Sequence, residues 1–444
     1  MGRCAVSTQK QKRPFALRAL AAFAGTLAIL FVLLLAAYAL PGEQVRQHVY
    51  DSARTIQNEG LYPEYLGFKL FQMDNYTDTL MLFEAASADE LPPLQAMMTN
   101  TAYNVDNFET LADDLAWYIE KDWSTGAQRT DAPALEPFSY ARYWHGYLIW
   151  LRPLLLLMPY TGVRIVQYIV LFSLLAVVLV QLRRRCGLRA AVWFAVSQLA
   201  VSVWFVPHQV QYFTCFMIAY AGCAWVLAKP RRSDVLCLGL LVLGTATAFC
   251  DLLVTPIITL GLPLTCWLLE PQQRLRGGVP QCALAVGGSL CWGTGYALCW
   301  AGKWALAGAV TGNNVLADAL HQAEVRTTAD TWHGMELTWR NIFCFLYDTL
   351  SSHHLFWPAL AVLAVLIALF ILSIRSKTAL VRALPLALTT CMTPAWFVLL
   401  RTHSIQHGWF TWRALGLTVF AGLAFLYYAC DLRAARRRLQ KGSI

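Results

Sequence analysis

The chain has 444 residues, of which 57% are hydrophobic and only 14% are charged, and its formal net charge is +9. Soluble domains contain about a quarter charged residues, so this composition excludes an ordinary soluble protein and indicates a polytopic membrane protein. Of the 35 lysines and arginines, 22 lie in segments that the hydropathy pattern assigns to the cytoplasm, with only 3 of the 26 acidic residues, and this positive-inside bias argues against a nucleic-acid partner.

The first forty residues predict a membrane span. Residues 1–18 are basic and are expected in the cytoplasm. Residues 19–40 contain no charge and would form about 33 Å of helix, which is enough to cross a bilayer. This apolar run is longer than the core of a typical signal peptide, so we expect it to remain uncleaved.

Residues 41–145 form a long polar segment, with 17 acidic residues between Glu43 and Glu136. Its apolar periodicity predicts helices at 79–86 and 107–118. The segment is also too rich in aromatic residues for a disordered linker. We therefore expect a small, mainly helical cap on the extracytoplasmic side of the membrane.

The rest of the chain, residues 146–430, predicts nine further spans. Apolar residues 147–158 are too few to cross a bilayer and predict an interfacial or re-entrant helix. Longer apolar runs predict spans at 163–182, 188–206, 210–228, 235–250, 252–269, 279–301, 355–374, 383–400 and 414–430. Outer loops are expected near 303–354 and 401–413. Because basic turns alternate on one side, the sequence predicts an all-α plasma-membrane protein of about ten spans, with both termini, including the tail 431–444, in the cytoplasm.

Three carboxylates of the polar segment are candidates for catalysis. Asp74 and Asp78 lie four residues apart, which places them on one side of the chain. A carboxylate held among aromatic residues near lipid can acquire a pKa suited to a general base. In the structural alternative, Asp74 caps a helix that begins near Thr79, and Asp78 lies at the positive end of that helix. Asp51, which follows the first span, is the third candidate.

Arg142, His145 and Asp251 are candidates for substrate binding. The i, i+3 spacing of Arg142 and His145 predicts that both lie on one face of a short helix, where they could hold a lipid-linked phosphate. An interfacial anchor of tyrosine, tryptophan and arginine is the alternative. Asp251 interrupts a continuous apolar stretch, where a carboxylate costs about 2.5–3.5 kcal/mol at the bilayer centre, so we expect it to face protein or water at a hairpin tip. It could instead cap the next helix.

The predicted outer loops contain further cations. His403 and His407 are spaced i, i+4, which is compatible with a metal pair, although no acidic third ligand lies nearby. Together with Arg413 they are better suited to bind a departing phosphate. Lys303, at the predicted exit of a span, is a similar candidate. An aromatic-rich surface loop is the structural alternative.

The first span, the acidic loop and the hairpin at 251–256 together resemble the GT-C class of integral-membrane glycosyltransferases. The resemblance covers the topology of most of the chain. It implies a polyprenyl-phosphate sugar as donor and a glycan or lipid of the cell envelope as acceptor. The sequence departs from the class because it lacks the adjacent pair of acidic residues that many members have just after the first span.

The resemblance also implies a mechanism. The sugar would move in a direct, inverting displacement, with Asp74 or Asp78 taking the proton of the acceptor hydroxyl. A divalent cation, Mg²⁺ or Mn²⁺, is optional in this class. The departing lipid phosphate would be stabilised by Arg142, Lys303, His407 or Arg413.

Three other functions are alternatives. A polymerase or ligase of lipid-linked glycans would also use basic residues of outer loops. A transporter or flippase would contain inverted repeats and charges near the middle of the membrane, and the sequence indicates neither. A structural scaffold is the third alternative.

Overall fold

The protein is an all-α polytopic membrane protein. The computed structural model describes residues 14–88, 90–103, 137–276, 278–328, 356–374 and 376–431, with short pieces between 331 and 351. Among these residues, seven helices are long and apolar enough to cross a membrane.

Short elements follow the first apolar helix and form what we call the polar region, residues 41–103 and 137–147. The helices are α1 (Phe15–Tyr38), α2 (Glu43–Glu59), α3 (Asn75–Ser87) and α4 (Pro93–Thr99), with 3₁₀ turns at Tyr65–Gly67 and Lys69–Phe71. Strands β1 (Thr101–Tyr103) and β2 (Pro137–Ser139) pair antiparallel, with Ala102 opposite Phe138.

The membrane part is built from helices of unequal length. They are α5 (Leu148–Leu155), α6 (Tyr160–Cys186), α7 (Leu188–Ala200), α8 (Val210–Ala228), α9 (Ser233–Cys250), α10 (Ile257–Leu268), α11 (Pro271–Arg274), α12 (Gly278–Thr311), α13 (Val315–Thr328), α14 (Phe356–Ser373), α15 (Lys377–Leu399), α16 (Arg401–Gln406), α17 (Gly408–Thr411) and α18 (Leu415–Ala429). There are 3₁₀ turns at Val203–His208 and Trp412–Ala414, and β3 (Thr331–Trp332) pairs with β4 (Met335–Glu336).

Two of the predicted spans form shorter helices than expected. Helix α7 has 13 residues and α10 has 12, which corresponds to roughly 20 and 18 Å of helix, against about 30 Å of hydrocarbon. In the predicted span 188–206, helix α7 ends at Ala200, and Ser202 has a left-handed backbone with φ of 55°. The second run starts late, because residues 251–256 form a turn before α10. Neither helix is long enough to cross the hydrocarbon by itself. In a membrane, the backbone groups at their ends must therefore be enclosed by other helices.

The predicted loops at 303–354 and 401–413 are partly wrong. Helix α12 continues through Lys303 to Thr311, so no loop begins at 303. Residues 401–413 form α16, α17 and a 3₁₀ turn. The helix predicted at 79–86 is confirmed within α3. The helix predicted at 107–118 lies outside the described residues, as do residues 1–13, the tail from 432 and parts of 329–355.

Small residues bring the backbones of α9 and α12 close together. A Cβ added at Gly244 would lie 2.0 Å from the carbonyl oxygen of Trp292, and one at Gly295 would lie 2.2 Å from that of Leu241. Glycines at such crossings let two membrane helices pack backbone to backbone. This packing fixes α12 as a rigid wall for the groove described below.

Apolar side chains form two clusters. One joins α1 to the polar region through buried residues such as Leu34, Val49 and Phe83. The other lies among α6 to α12, α15 and α18. The first cluster includes Val210, Phe249 and Cys299, which come from α8, α9 and α12. The polar region is thus held on these three membrane helices, and the candidate residues lie near that junction.

Candidate functional site

Asp74 and Asp78 both act as helix caps. Asp74 precedes α3, where its carboxylate accepts hydrogen bonds from the backbone N–H (3.0 Å) and hydroxyl (2.9 Å) of Thr77. Asp78 accepts the backbone N–H groups of Val210 and Gln211, each at 3.1 Å, and so caps the N-terminus of α8. It also accepts a hydrogen bond from the hydroxyl of Tyr160. The structural alternative for these two acids therefore matches their geometry.

Both carboxylates of this pair are buried, at 3% and 0% exposure for Asp74 and Asp78. Burial raises the pKa of Asp78 to about 7, against the lowering effect of its hydrogen bonds to Tyr160, Gln211 and Val210. Burial also raises the pKa of Asp74, opposed by its bonds to Thr77. Burial thus raises the pKa of both acids, but the bonds that cap α3 and α8 already use their oxygens.

A partly buried ion pair between Arg164 and Glu59 extends these caps. We call Asp74, Asp78 and this ion pair, with their hydrogen-bond partners, the capping network. Arg164 of α6 binds Glu59 with both terminal nitrogens, at 2.5 and 2.8 Å, and donates its Nε–H to the carbonyl of His208 at 2.8 Å. Glu59 also accepts from Asn75, whose side-chain oxygen accepts from Gln209 at 3.0 Å. The capping network ties the polar region to α6 and α8.

His145 lies in a second buried cluster, with Glu84. The Nδ1 atom of His145 is 2.6 Å from Glu84, and Tyr147 donates its hydroxyl proton to the same carboxylate. The predicted shared helical face of Arg142 and His145 is wrong. Residues 141–147 are not helical, since α5 starts at Leu148, and His145 has φ of 54°.

Lys303 lies close to this second cluster and is fully buried. Its ammonium donates to the carbonyl of Met97 at 2.7 Å and to the side-chain oxygen of Asn100 at 2.6 Å. Asn100 in turn donates to the hydroxyl of Tyr38 at 2.7 Å. These bonds fasten α12 to α4. The prediction of Lys303 as a loop cation at the outer rim is wrong, because the side chain lies within helix α12 and is enclosed by protein.

Arg142 lies apart from these buried clusters, beside a groove between α12, α13 and α15. The groove has a volume of about 160 Å³. Its walls are mainly apolar and include Tyr296, Trp300, Trp396 and Leu400, with Arg142 at one end. The first two residues lie on α12, and Trp396 lies on α15. We call this feature the groove.

Two N–H donors beside the groove have no acceptor among the described residues. They are Nε of Arg142 and Nε1 of Trp300, both buried. The other end of the Arg142 guanidinium pairs with Asp318 of α13 at 3.3 Å, and that carboxylate side chain is 47% exposed. Buried donors normally have partners, so these two are exceptions, and both are closed off from the groove, whose lining is almost entirely apolar.

The loop carrying Arg142 is held firmly. The carbonyl of Arg142 accepts the indole N–H of Trp304 at 3.0 Å, and Trp144 donates to the carbonyl of Cys299 at 2.8 Å. Gly146 donates to the carbonyl of Phe249, where a Cβ would lie 2.5 Å from that oxygen. Three contacts to α9 and α12 thus fix the backbone of this loop, from which Arg142 reaches the lining of the groove.

Asp251 supports the opposite wall of the groove. Its carboxylate accepts the backbone N–H of Val254 at 3.1 Å, and the turn it closes places Leu253, with φ of 68°, in the groove wall. Burial raises the pKa of Asp251 to about 6, opposed by hydrogen bonds from Cys215 and the turn backbone. The predicted position at a hairpin tip between two helices is confirmed.

The two histidines lie behind the same turn. His403 donates its Nε2–H to the carbonyl of Leu253 at 2.8 Å, and the rings of His403 and His407 are 4.7 Å apart. Arg413 is fully buried and donates to the carbonyls of Leu70 (3.1 Å) and Trp409 (3.2 Å). The structure brings His403 next to Asp251 and the groove, whereas Arg413 joins α18 to the polar region.

Asp51 lies away from all of these residues. It is exposed on α2 and accepts a hydrogen bond from Gln47 at 3.2 Å. The described residues contain no group of three or more histidine, cysteine or acidic side chains that could hold a metal ion.

The sequence matches no family model, and no curated protein or solved structure matches it at the significance required.

Sequence reasoning missed several residues that define these sites. Glu84 and Trp300 gave no signal, because one lies in an acidic segment and the other in an apolar run. Arg164 did give one. A charged residue near the start of an apolar run is costly in a membrane unless it has a partner, so its pairing with protein could have been expected.

Proposed function

We propose that the protein is a membrane glycosyltransferase that takes a sugar from a polyprenyl-phosphate donor and transfers it to a glycan or lipid of the cell envelope. One observation carries the proposal: the groove has apolar walls on membrane helices and includes Arg142, whose ion pair with Asp318 is partly exposed, among its lining residues. A lipid-linked phosphate has the matching parts, an apolar chain and anionic oxygens.

Arg142 supports the proposal as the residue that binds the donor phosphate. Its pair with Asp318 is partly exposed and so contributes little to stability, about 0–1 kcal/mol. A phosphate can replace that carboxylate and accept charge-assisted hydrogen bonds from the guanidinium. The same cation would then stabilise the phosphate as it leaves the sugar.

The aromatic walls of the groove are the evidence for binding of the donor's apolar polyprenyl chain. Trp300 and Trp396 lie on membrane helices α12 and α15, so the groove is bounded by elements that contact lipid. A polyprenyl chain in the bilayer could enter there without crossing water. Binding of the chain by large apolar side chains is typical of lipid sites.

Among the candidate acids, Asp251 lies nearest to the groove, and a base role there would require its carboxylate to give up a hydrogen bond from Val254, Cys215 or the turn backbone. It lies in the turn that forms a wall of the groove, and burial raises its pKa to about 6. A base with a pKa near the working pH is efficient. Asp74 and Asp78 instead supply the caps of α3 and α8.

The proposed arrangement in the membrane has about ten spans, the polar region and the groove end on the extracytoplasmic side of the plasma membrane, and both termini in the cytoplasm. The distribution of basic residues supports this orientation. The donor phosphate would then be bound at the outer surface, where envelope acceptors are.

The test is transfer of radiolabelled sugar from polyprenyl-phosphate donors by the purified protein in lipid. We expect label to reach an acceptor with the wild-type protein, and transfer to fall at least a hundredfold in Asp251→Asn. Asp74→Asn, which keeps an oxygen for the α3 cap, should retain transfer in the fraction that folds. Donor hydrolysis or uptake into vesicles without transfer would contradict the proposal and favour a flippase.

A further inference from the structure

A second cavity lies at the end of the membrane helices that is remote from the polar region. Its volume is about 230 Å³, and it lies between α11, α12, α15 and α18. Gln281 in this cavity and Lys303 at the polar region are both on α12, 22 residues apart. That separation is about 33 Å along a helix, or roughly one hydrocarbon thickness, so the two lie on opposite faces of the membrane.

Two arginines give this cavity its charge. Arg274 and Arg382 both line it, and neither forms a salt bridge with a carboxylate of the described residues. The nearby buried acid, Glu270, is already paired with Arg185 at 2.9 Å. The cavity therefore holds two cations without counter-charges from the described part of the chain.

Unpartnered polar atoms are also present in this cavity. The Nε of Arg274 and the Oε1 of Gln281 are buried and have no hydrogen-bond partner among the described residues. The guanidinium of Arg274 lies 4.7 Å from the ring centre of Tyr428, which holds it in place. Gln281 itself is fixed by donating to the carbonyl of Gln273 at 3.1 Å. Arg274 and Gln281 are therefore held in place in the lining of the cavity.

The cavity has apolar as well as polar lining residues. Leu268, Pro385 and Leu386 line it together with the two arginines. A free phosphate would leave these apolar residues uncovered, whereas a phospholipid would place its phosphate on the arginines and its glycerol and first methylenes on the apolar residues. Basic pockets between membrane helices on the cytoplasmic side are known to take anionic head groups.

We propose that this cavity, on the face opposite the groove, binds the head group of an anionic phospholipid. The site is separate from the donor groove and does not depend on the proposed transfer reaction. Its occupant would bridge α12 and α15, which meet closely here, since a Cβ on Gly278 would lie 1.7 Å from the carbonyl oxygen of Val381.

The test is native mass spectrometry of the full chain released from detergent, titrated with phosphatidylglycerol or phosphatidylcholine. We expect phosphatidylglycerol to bind at least tenfold more tightly, and the Arg274→Gln and Arg382→Gln double variant to lose that preference. Lys229→Gln, which removes one exposed charge from the same face, is the matched control and should stay within twofold of wild type.

Equal affinity for the two lipids would overturn the proposal, as would unchanged preference in the double variant. Inorganic phosphate is the third probe. If it displaces phosphatidylglycerol at millimolar concentration, the site takes a free anion and not a lipid. Persistence of the lipid under that competition is the expected result. Because the readout is lipid binding, its failure would leave the proposed transfer reaction untouched.

Discussion

The capping network and the groove both contain an arginine, but they use it differently. In the capping network, Asp78 receives two backbone N–H groups and a tyrosine hydroxyl, and Glu59 is held by both ends of Arg164. At the groove, the ion pair of Arg142 with Asp318 is partly exposed, and the lining is almost entirely apolar.

This difference separates polar groups that build the fold from those that can bind a ligand. A buried polar atom with every bond satisfied stabilises one structure, and using it for chemistry would break that structure. A partly exposed ion pair contributes little to stability, so a ligand can take the place of one partner. From this comparison we expect ligand binding and catalysis at the groove. We expect the capping network to stabilise the fold.

The largest expected effect concerns Arg142. Arg142→Ala should lower transfer by about 10²–10³-fold, because preorganised charge on the leaving phosphate is lost. Arg142→Lys keeps the charge but not the geometry for paired hydrogen bonds. Its transfer activity should lie between those of the wild type and Arg142→Ala. The measurement is kcat/KM with a polyprenyl-phosphate sugar in lipid, and full activity of Arg142→Ala would exclude this residue from the mechanism.

The next effect is on stability and concerns the capping network. Asp78→Ala should lower the free energy of unfolding by about 2–4 kcal/mol, since the N-terminus of α8 and Tyr160 lose their acceptor. The fraction of monodisperse protein after heating in detergent measures this. Asp51→Ala, an exposed carboxylate on α2, is the control and should behave like wild type. If Asp78→Ala and Asp51→Ala retain the same monodisperse fraction after heating, Asp78 does not stabilise the fold as proposed.

A smaller effect is expected at the groove wall. Trp300→Ala should raise the KM for the donor roughly tenfold with little change in kcat, because binding of the apolar chain is weakened. The control is Trp357→Ala on α14, where the side chain is 60% exposed and lies outside the groove. An equal increase in KM in Trp300→Ala and Trp357→Ala would contradict binding of the apolar chain in the groove.

The pH dependence tests Asp251. Its pKa is raised by burial to about 6 from 3.8, so a base role requires that transfer fall about tenfold per pH unit below 6. The folded state also binds this proton more tightly than the unfolded state does. Stability from this group is therefore greatest in acid and is lost as pH rises from about 4 to about 6. A flat rate profile between pH 4.5 and 7 would contradict the base role.

The smallest effect is expected for Asp318. Asp318→Asn removes a partly exposed partner of Arg142 and should change transfer by less than about threefold. A modest gain in donor affinity is the expected direction, since a competing carboxylate is lost. A loss as large as that of Arg142→Ala would mean that Asp318 itself takes part in the reaction.

Much of the architecture could be predicted from the sequence. The apolar helices α1, α6, α8 and α9 begin and end within a few residues of the predicted spans, because uncharged runs bounded by basic turns specify them. The continuation of α12 through Lys303 to Thr311 was not predicted, because a lysine at the end of an apolar run usually marks the end of a membrane span. Hydropathy cannot foresee that Met97 and Asn100 bind the ammonium.

The candidate site was less predictable. Sequence spacing placed Asp74 and Asp78 together, but the partners of Asp78 lie more than 80 residues away in Tyr160 and Val210. The spacing of Arg142 and His145 assumed a helix, and the loop there sends the two side chains to different neighbours. The groove could not be predicted, because its walls come from five separate segments of the chain.

The most direct test of the central claim is photo-crosslinking with a polyprenyl phosphate that carries a diazirine in its first isoprene units. The account predicts cross-links to α12 and α15 around Trp300 and Trp396, competed by unlabelled polyprenyl phosphate and lost in Arg142→Ala. Cross-links that fall elsewhere, or that persist unchanged in Arg142→Ala, would contradict it.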